Sequence, residues 1–360
     1  MVYRRNEPNN DLPLLPPAYD LESIRVLRQC IAAARALAEL KGAGNLIPNQ
    51  SILINAIPLQ EAKLSSEIEN IVTTQDELFR AAVEESGRTD PRAKEVLRYR
   101  SALQHGYEAL KEKPLSLDLM IEVCSILDGD RVELRDQERV IIEDAGASAV
   151  VYTPPRGRVL IVSLLDNLVT FIRESGEIDP LIKMAVAHYQ FEAIHPFVDG
   201  NGRTGRILNI LVLLQAGLLD IPVLYLSRFI IENKQEYYRR LRGVTEDRNW
   251  EAWLLYMLTA VEETARWTTS RIMAIRDLLE TTLEVCRREL PANVYSKELI
   301  ELIFVQPYVK IGFLVDAGIA KRQTASVYLQ ELEKIGILQS DRRGREVIYR
   351  HQALVDILSG

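Results

Sequence analysis

The residues of this chain best suited to chemistry lie in one short run, His195-Pro196-Phe197-Val198-Asp199-Gly200-Asn201-Gly202-Arg203-Thr204-Gly205-Arg206. Pro196 disfavours helix at the residue before it, and Gly200 and Gly202 can take positive φ. The run therefore reads as a tight loop that opens a helix. At such a helix start, unpaired backbone N–H groups and the helix dipole attract anions. Arg203 and Arg206 are three apart on the first turn, so they share a face and can grip two phosphates. Asp199 is an acid inside this cationic nest, where it suits a magnesium ion bridging phosphates. His195, at the rim, can take a proton from an incoming hydroxyl. Base, metal ligand, anion nest and paired arginines together point to phosphoryl or nucleotidyl transfer.

The elements that must position these groups are helical. Leu181 to Ile194 has helical patterning and stops at Pro196, and an apolar helix runs from the loop to about Gln215, with Gly217 beyond it. This context decides against a second reading. Gly200-Asn201-Gly202-Arg203-Thr204-Gly205 also fits G-x-G-x-x-G, and Asp220 lies about 20 residues on. A dinucleotide turn must follow a strand, and here a helix precedes it. His188 falls mid-helix among apolar neighbours and reads as a core histidine. His105 and His351 also read as structural.

Composition sets the frame. The 360 residues are 47% hydrophobic and 26% charged, an ordinary globular balance that needs no disulfide or metal staple. A net charge of -7 argues against a protein that coats nucleic acid over its whole surface. Cys30, Cys124 and Cys286 form no C-x-x-C pair, and four histidines without H-E-x-x-H make a zinc site improbable. The N-terminus lacks an apolar core behind Arg4 and Arg5, so no signal peptide is expected. The longest apolar stretch, 207–226, contains Asn209, Gln215, Asp220 and Pro222 and reads as a buried helix and a turn rather than a membrane span. A cytoplasmic protein is expected.

Along the chain, the patterning predicts a first helix closing on Gly42, two short helices broken near Pro58, a helix over 91–111 and another stopped by Gly129. The period changes over 139–153, where two β-branched runs around small residues predict a β-hairpin closed by Pro154 and Pro155. Dense helical patterning resumes over 157–265, and a separate helix is expected from Trp267 to Leu290.

The loop resembles a known family. HPFVDGNGRTGR matches in full the motif H-P-F-x-[D/E]-G-N-[G/K]-R-x-x-R of the Fic family, many of whose members transfer AMP from ATP to protein hydroxyls. The likeness covers roughly Lys111 to Ala265. It implies that His195 deprotonates the target and Asp199 holds magnesium. Asn201 and the loop amides of Gly200, Gly202, Thr204 and Gly205 would bind around the α-phosphate, and Arg203 and Arg206 would orient the β- and γ-phosphates. It further implies that the hairpin ending in Tyr152 and Thr153 is a flap that registers the target by strand addition. Asn233 would line the adenine pocket, with Tyr237 a weaker candidate. The phosphate-kinase branch of the family carries alanine and lysine where this chain has Gly200 and Gly202, which speaks against γ-phosphoryl transfer.

Ser65-Ser66-Glu67-Ile68-Glu69-Asn70 has the form [S/T]-x-x-x-E-[G/N] and resembles the inhibitory-helix motif of one class of the family. A carboxylate at Glu69 reaching Arg206 would take the partner that the γ-phosphate needs. The same residue could instead align water and let the site remove AMP.

The segment after Pro307 predicts helix-turn-helix over 311–334, then wing strands at Ile337-Leu338 and Val347-Ile348-Tyr349, a pattern that resembles a winged helix. Lys321 and Arg322 at the start of the second helix, and Arg343 with Arg342 and Arg345 on the wing, are candidate DNA contacts. Protein docking or homodimer formation through this module stays equally open. The expected fold class is mainly α, a helical Fic core with a small hairpin flap and a C-terminal winged helix. The expected parts are 1–110, 111–265, 266–290 and 291–360. The expected function is magnesium-dependent transfer of AMP from ATP to a Tyr, Thr or Ser hydroxyl of target proteins and of the chain itself. The alternative is a nucleotide-sensing, DNA-binding transcription regulator.

Overall fold

A computed structural model describes residues 3–83, 90–136, 141–143, 150–174, 176, 178–343 and 346–359, the side chains of Glu143, Arg343 and Glu346 excepted. The chain begins as an extended stretch and enters α1 (Ile24–Gly44) at Ser23, whose hydroxyl accepts from Val26 N. Val26, Cys30, Ala33, Leu37 and Leu40 recur at helical spacing on its buried face. That face lies along α11 (Trp250–Glu289). α1 passes through Gly42, where a terminus is expected, and ends two residues later with Asn45 as its C-cap.

The next stretch corrects an expectation. α2 (Ser51–Ile68) runs unbroken through Pro58. An interior proline costs about 3 kcal/mol in lost bonding and ring clash. Ile52, Leu53, Ile57 and Leu59 around it are buried, and each fully buried large aliphatic side chain contributes roughly 1.5–3 kcal/mol. Packing therefore exceeds the cost of the proline. The break comes later, at residues 69–74, where Asn70 takes φ 65°. α3 (Gln75–Val83) and α4 (Pro91–Leu110) follow. α5 (Leu117–Asp128) is capped by the Ser116 hydroxyl and stops at Gly129 with φ 89°.

β1 (Ile142–Glu143) and β2 (Val150–Tyr152) pair antiparallel, with Ile142 opposite Tyr152. The small-residue turn expected between them, and the hairpin's expected start at Arg139, lie outside the described residues. α6 (Arg158–Arg173) leads to α7 (Pro180–Ile194) and α8 (Asn201–Gln215). These last two are buried almost all round and form the centre of the core. α9 (Leu226–Glu232) packs on α2 and α11, and α10 (Lys234–Asp247) meets α7 through Tyr237 and Thr245 before α11 begins. α11 has 40 residues, so the helix expected from Trp267 is the second half of a longer one. No glycine or proline interrupts 250–289, and Trp253, Met257, Val261, Ile272 and Ile275 keep one side buried throughout.

The C-terminal elements are α12 (Lys297–Val305), β3 (Tyr308–Val309), α13 (Ile311–Asp316), α14 (Arg322–Lys334), β4 (Gln339–Arg343), β5 (Glu346–Arg350) and α15 (Gln352–Ser359). The sheet order is β3-β5-β4, antiparallel throughout, with Tyr308 opposite Arg350 and Asp341 opposite Ile348. The first wing strand starts two residues later than the expected Ile337-Leu338. Both of those amides donate to Leu332 O around Gly336 (φ 79°), so they cap α14 instead of joining a ladder. α12 and α15 pack on α2 and α11. Among the described residues, no helix is long and apolar enough to cross a membrane.

Candidate active site

His195 caps α7 in the left-handed region, φ 50° and ψ 60°. A β-carbon makes that conformation costly, so the surroundings must hold it. Arg135, a buried residue that motif reading missed, does so. Its Nε donates to His195 O at 2.6 Å, and its Nη2 donates to Ile194 O at 2.9 Å and Pro155 O at 2.6 Å. Its backbone N donates to Pro196 O at 3.0 Å. One guanidinium thus ties the loop to the chain leaving β2. Burial, and then the Arg135 charge, push the His195 imidazole down to about 4, against the raising effect of the Glu192 carbonyl. A neutral imidazole at physiological pH can accept a proton.

The loop closes through Asn201. Its Nδ2 donates to Phe197 O and its Oδ1 accepts from Phe197 N, both at 2.9 Å. The side chain is occupied in shaping the loop rather than turned to a ligand. Gly200 stands at φ 79°, and an added Cβ would sit 3.4 Å from Cys124 Sγ. Thr204 is buried, its N donating to Gly200 O at 2.9 Å. Gly205 allows α7 close, since a Cβ there would meet Glu192 Oε1 at 2.6 Å. Asp199 Oδ1 accepts from Gly200 N at 2.6 Å, and the side chain remains 81% exposed.

Both arginines are engaged by carboxylates from earlier helices. Arg206, 1% exposed at its side chain, donates from Nε to Ser65 Oγ at 2.8 Å and from Nη2 to Ser65 O at 3.0 Å and Glu69 Oε1 at 2.8 Å. The pair is formed within one chain. Burial would raise the Glu69 carboxyl, but the Arg206 charge and hydrogen bond, then Arg203 and Lys234, bring it below its ordinary value. Lys234 Nζ also donates to Ile68 O at 2.5 Å, fixing the end of α2. Farther back, the buried Glu61 carboxylate accepts from Ser227 N at 3.0 Å and Tyr99 OH at 3.3 Å. Arg203 Nη1 donates to Glu95 Oε1 of α4 at 2.6 Å, with Asp199 Oδ2 3.9 Å from Nη2. Glu95 and Lys234 carry no motif signal, because each is an ordinary charged residue in a helix.

Several expected site residues are placed differently from the loop. Tyr152 is buried and its hydroxyl donates to Ala193 O at 2.9 Å. Thr153 is buried and donates to Arg5 O at 2.6 Å. Asn233 joins α9 to α10, and its Nδ2 donates back to Phe229 O at 3.0 Å. The Tyr237 hydroxyl pairs with His188 Nε2 at 2.8 Å in the core, where burial and the Arg206 charge hold His188 down to about 3. Lys321 and Arg322 are exposed at the start of α14, and the side chain of Arg343 and all of Arg345 lie outside the described residues. Among the described residues, no cluster of three or more His, Cys, Asp or Glu is arranged to hold a metal by protein ligands alone.

The structure thus sets the anion-attracting start of α8 beside His195, the cap of α7, inside a helical core. Three family descriptions match the chain. The description "Fic/DOC family" matches residues 114–213, "Fic/DOC family N-terminal" matches 27–108, and the C-terminal domain of "Protein adenylyltransferase SoFic-like" matches 278–354. The chain belongs to the Fic/DOC family. A probable protein adenylyltransferase of Aquifex aeolicus is 30% identical over 196 residues, 52% of this chain and 55% of the relative. A protein adenylyltransferase of Caenorhabditis elegans is 35% identical over 83 residues, 22% of this chain and 15% of the relative. The chain thus spans about half of the first relative and far less of the second. A Fic family protein of Desulfovibrio desulfuricans shares the fold, with a TM-score of 0.60 at 20% identity over 93% of this chain and 98% of that one.

Proposed function

We propose that the chain transfers AMP from ATP to a Tyr, Thr or Ser hydroxyl of a target protein and of itself, and that Glu69 is a built-in brake on this reaction. One observation carries the reading. A carboxylate sits at the N-terminus of α8, over Gly202 and bonded to Arg206, where an anion is best stabilised. The names of the relatives favour the same chemistry.

In the reaction, the target oxygen bonds to the α-phosphorus as the bond to the β-phosphate oxygen breaks and pyrophosphate leaves. His195 takes the hydroxyl proton, a contribution of roughly 10²–10⁴ in rate for a positioned base. The α8 amides and Arg203 face the phosphates, and Arg206 joins them once Glu69 has left. Asp199, one exposed carboxylate beside Arg203, fits a magnesium ion held mostly by phosphate oxygens and water. Magnesium would offset the charge of the phosphates. The target main chain would add to the flap along β2, with Tyr152 serving through its backbone because its side chain is buried; the Thr153 carbonyl already accepts from Asn9 N.

The test compares wild type, Glu69→Gly and His195→Ala with magnesium and either α- or γ-labelled ATP. Label on protein from the α position alone, strongest in Glu69→Gly and lost in His195→Ala, is expected. Label from the γ position alone makes the chain a kinase. Removal of AMP from pre-modified protein by wild type would give Glu69 its second role, and persistence of AMP would refuse it. The exposed Lys321 and Arg322 support a DNA-binding reading of the winged-helix module. That reading requires duplex binding that weakens steeply with salt.

A further inference from the structure

The brake is a short turn of chain held between two helices, and both helices rest on the C-terminal module. Ser66 O accepts from Glu69 N and Ile71 N, each at 3.0 Å, which closes the end of α2. Six residues after Glu69, α3 begins with a reciprocal cap. Thr74 N donates to Glu77 Oε2 at 3.0 Å, and Glu77 N donates to Thr74 Oγ1 at 3.2 Å. With Thr73 Oγ1 donating to the same Glu77 Oε2 at 3.4 Å, the cap fastens the last two residues of the brake turn to α3.

α3 has nine residues, too few to hold a helix alone, so tertiary contacts decide where it sits. Its outward side meets the C-terminal sheet. Arg80, 13% exposed at its side chain, bridges Asp76 at 2.6 Å and Asp341 of β4 at 2.7 Å. The Tyr308 hydroxyl of β3 donates to the same Asp76 carboxylate. The Phe79 ring stacks on Tyr308 with centroids 5.6 Å apart. α12 and α15 support α2 in the same way, with Asn49 Nδ2 donating to Glu301 Oε2 at 3.5 Å.

We propose that Arg80 is a positioning residue for the Glu69 carboxylate, and that the C-terminal module sets the brake through it. The proposal rests on the reading of Glu69 as a brake. A partner that draws β3 and β4 away from α3 would break the Arg80 bridge, let the turn at 69–74 relax and release Arg206. No contact between that partner and the active site is required. The coupling lives in one element with two placements, as transmission between distant sites demands.

The experiment uses the full chain with Arg80→Ala, Arg80→Lys and Tyr308→Phe, each alone and combined with Glu69→Gly. Tyr308→Phe keeps the stack on Phe79, so it remains informative if Arg80→Ala fails to fold. The first readout is amide hydrogen exchange at Glu69, Asn70 and Ile71. Exchange there is expected to quicken about tenfold, at the low end of ordinary coupling factors, while α8 amides stay as in wild type. The second readout is label from α-labelled ATP. It is expected to rise about tenfold in the Arg80→Ala and Tyr308→Phe chains, to fall back toward wild type with Arg80→Lys, and to gain nothing further once Glu69→Gly is present.

An unchanged exchange rate at 69–71, while β3 or β4 amides quicken, overturns the coupling. So does an equal rise in label with and without Glu69→Gly. A silent Glu69→Gly chain defeats the brake reading itself, and the exchange data then decide separately whether the module braces the turn.

Discussion

Glu69 and Gly202 share one place in space. A Cβ added to Gly202 would stand 2.3 Å from Glu69 Oε1 and 3.0 Å from Arg206 Nη1. The absence of a side chain at 202 leaves room over the first turn of α8 for an oxygen anion, and the Glu69 carboxylate occupies that room. A phosphate oxygen would need the same room.

Gly202→Ala should therefore fail in both states. The methyl group expels the Glu69 carboxylate but obstructs the phosphate too. Overpacking of this kind typically costs 1–3 kcal/mol, about the range expected here in thermal or chemical denaturation. Label from α-labelled ATP should stay far below that of Glu69→Gly. A Gly202→Ala chain as active as Glu69→Gly would show that the phosphates do not use this space.

The pH profile offers a check on His195. Its imidazole is pushed down to about 4 by burial and by Arg135, so the neutral base persists as acid is added. With Glu69→Gly lifting the brake, the rate of AMP transfer should hold level from pH 8 to about pH 5.5 before it falls. An ordinary histidine, near 6.5, would already have lost about tenfold at pH 5.5. The same shift affects stability. A folded-state value below the unfolded one means that unfolded chains take up the proton first. The His195 contribution is thus complete above about 6.5 and is lost as pH falls toward 4.

Much of the site was legible because its signals are local. A histidine before proline, glycines free to take positive φ and arginines three apart announce themselves within twelve residues, although only Gly200 takes it, at φ 79°, while Gly202 is helical in the first turn of α8. The pairing of Glu69 with Arg206 was also legible, through the short motif around Ser65. What stayed hidden depends on distant chain. Glu95 lies 108 residues from Arg203, and Arg135 lies 60 residues from the carbonyl it holds at His195. As single charged residues they look like solvated surface. Pro58 misled for the opposite reason, since a strong local rule was outweighed by burial. β3 has two residues, too short a run for any alternation to show, and its partners Tyr349 and Arg350 in β5 lie 40 and 42 residues away.

Glu95 makes the next prediction. Its carboxylate holds Arg203 at 2.6 Å, so both α8 guanidinium groups are paired with carboxylates from the N-terminal region. Glu95→Gln should free Arg203 for phosphate and tighten ATP binding by roughly 2–5-fold in calorimetry, the scale of losing one partly exposed competitor. Glu69→Gly and Glu95→Gln should add in the double variant, because each carboxylate holds a different arginine. Weaker ATP binding by Glu95→Gln would instead make Glu95 the group that aims Arg203.

Arg135 carries the last prediction, and the most demanding. Three carbonyls depend on its side chain, those of Ile194, His195 and Pro155, and it contributes nothing toward the phosphates. Arg135→Ala leaves these buried acceptors unpaired, each worth about 1–3 kcal/mol, and frees His195 to leave its left-handed conformation. Arg135→Lys cannot restore the fork, since one ammonium lacks its planar spread of donors. In a Glu69→Gly background, kcat should fall about a hundredfold, the usual cost of a reacting group displaced by roughly 1 Å. Binding of ATP should be nearly unchanged. Loss of the neighbouring positive charge should also let the imidazole rise toward its ordinary value, so the acid limb of the rate profile moves to higher pH. A merely destabilised chain would lose activity and ATP binding together and keep its pH profile. The combination of lowered kcat, retained binding and a displaced acid limb therefore separates positioning of the base from general loss of fold.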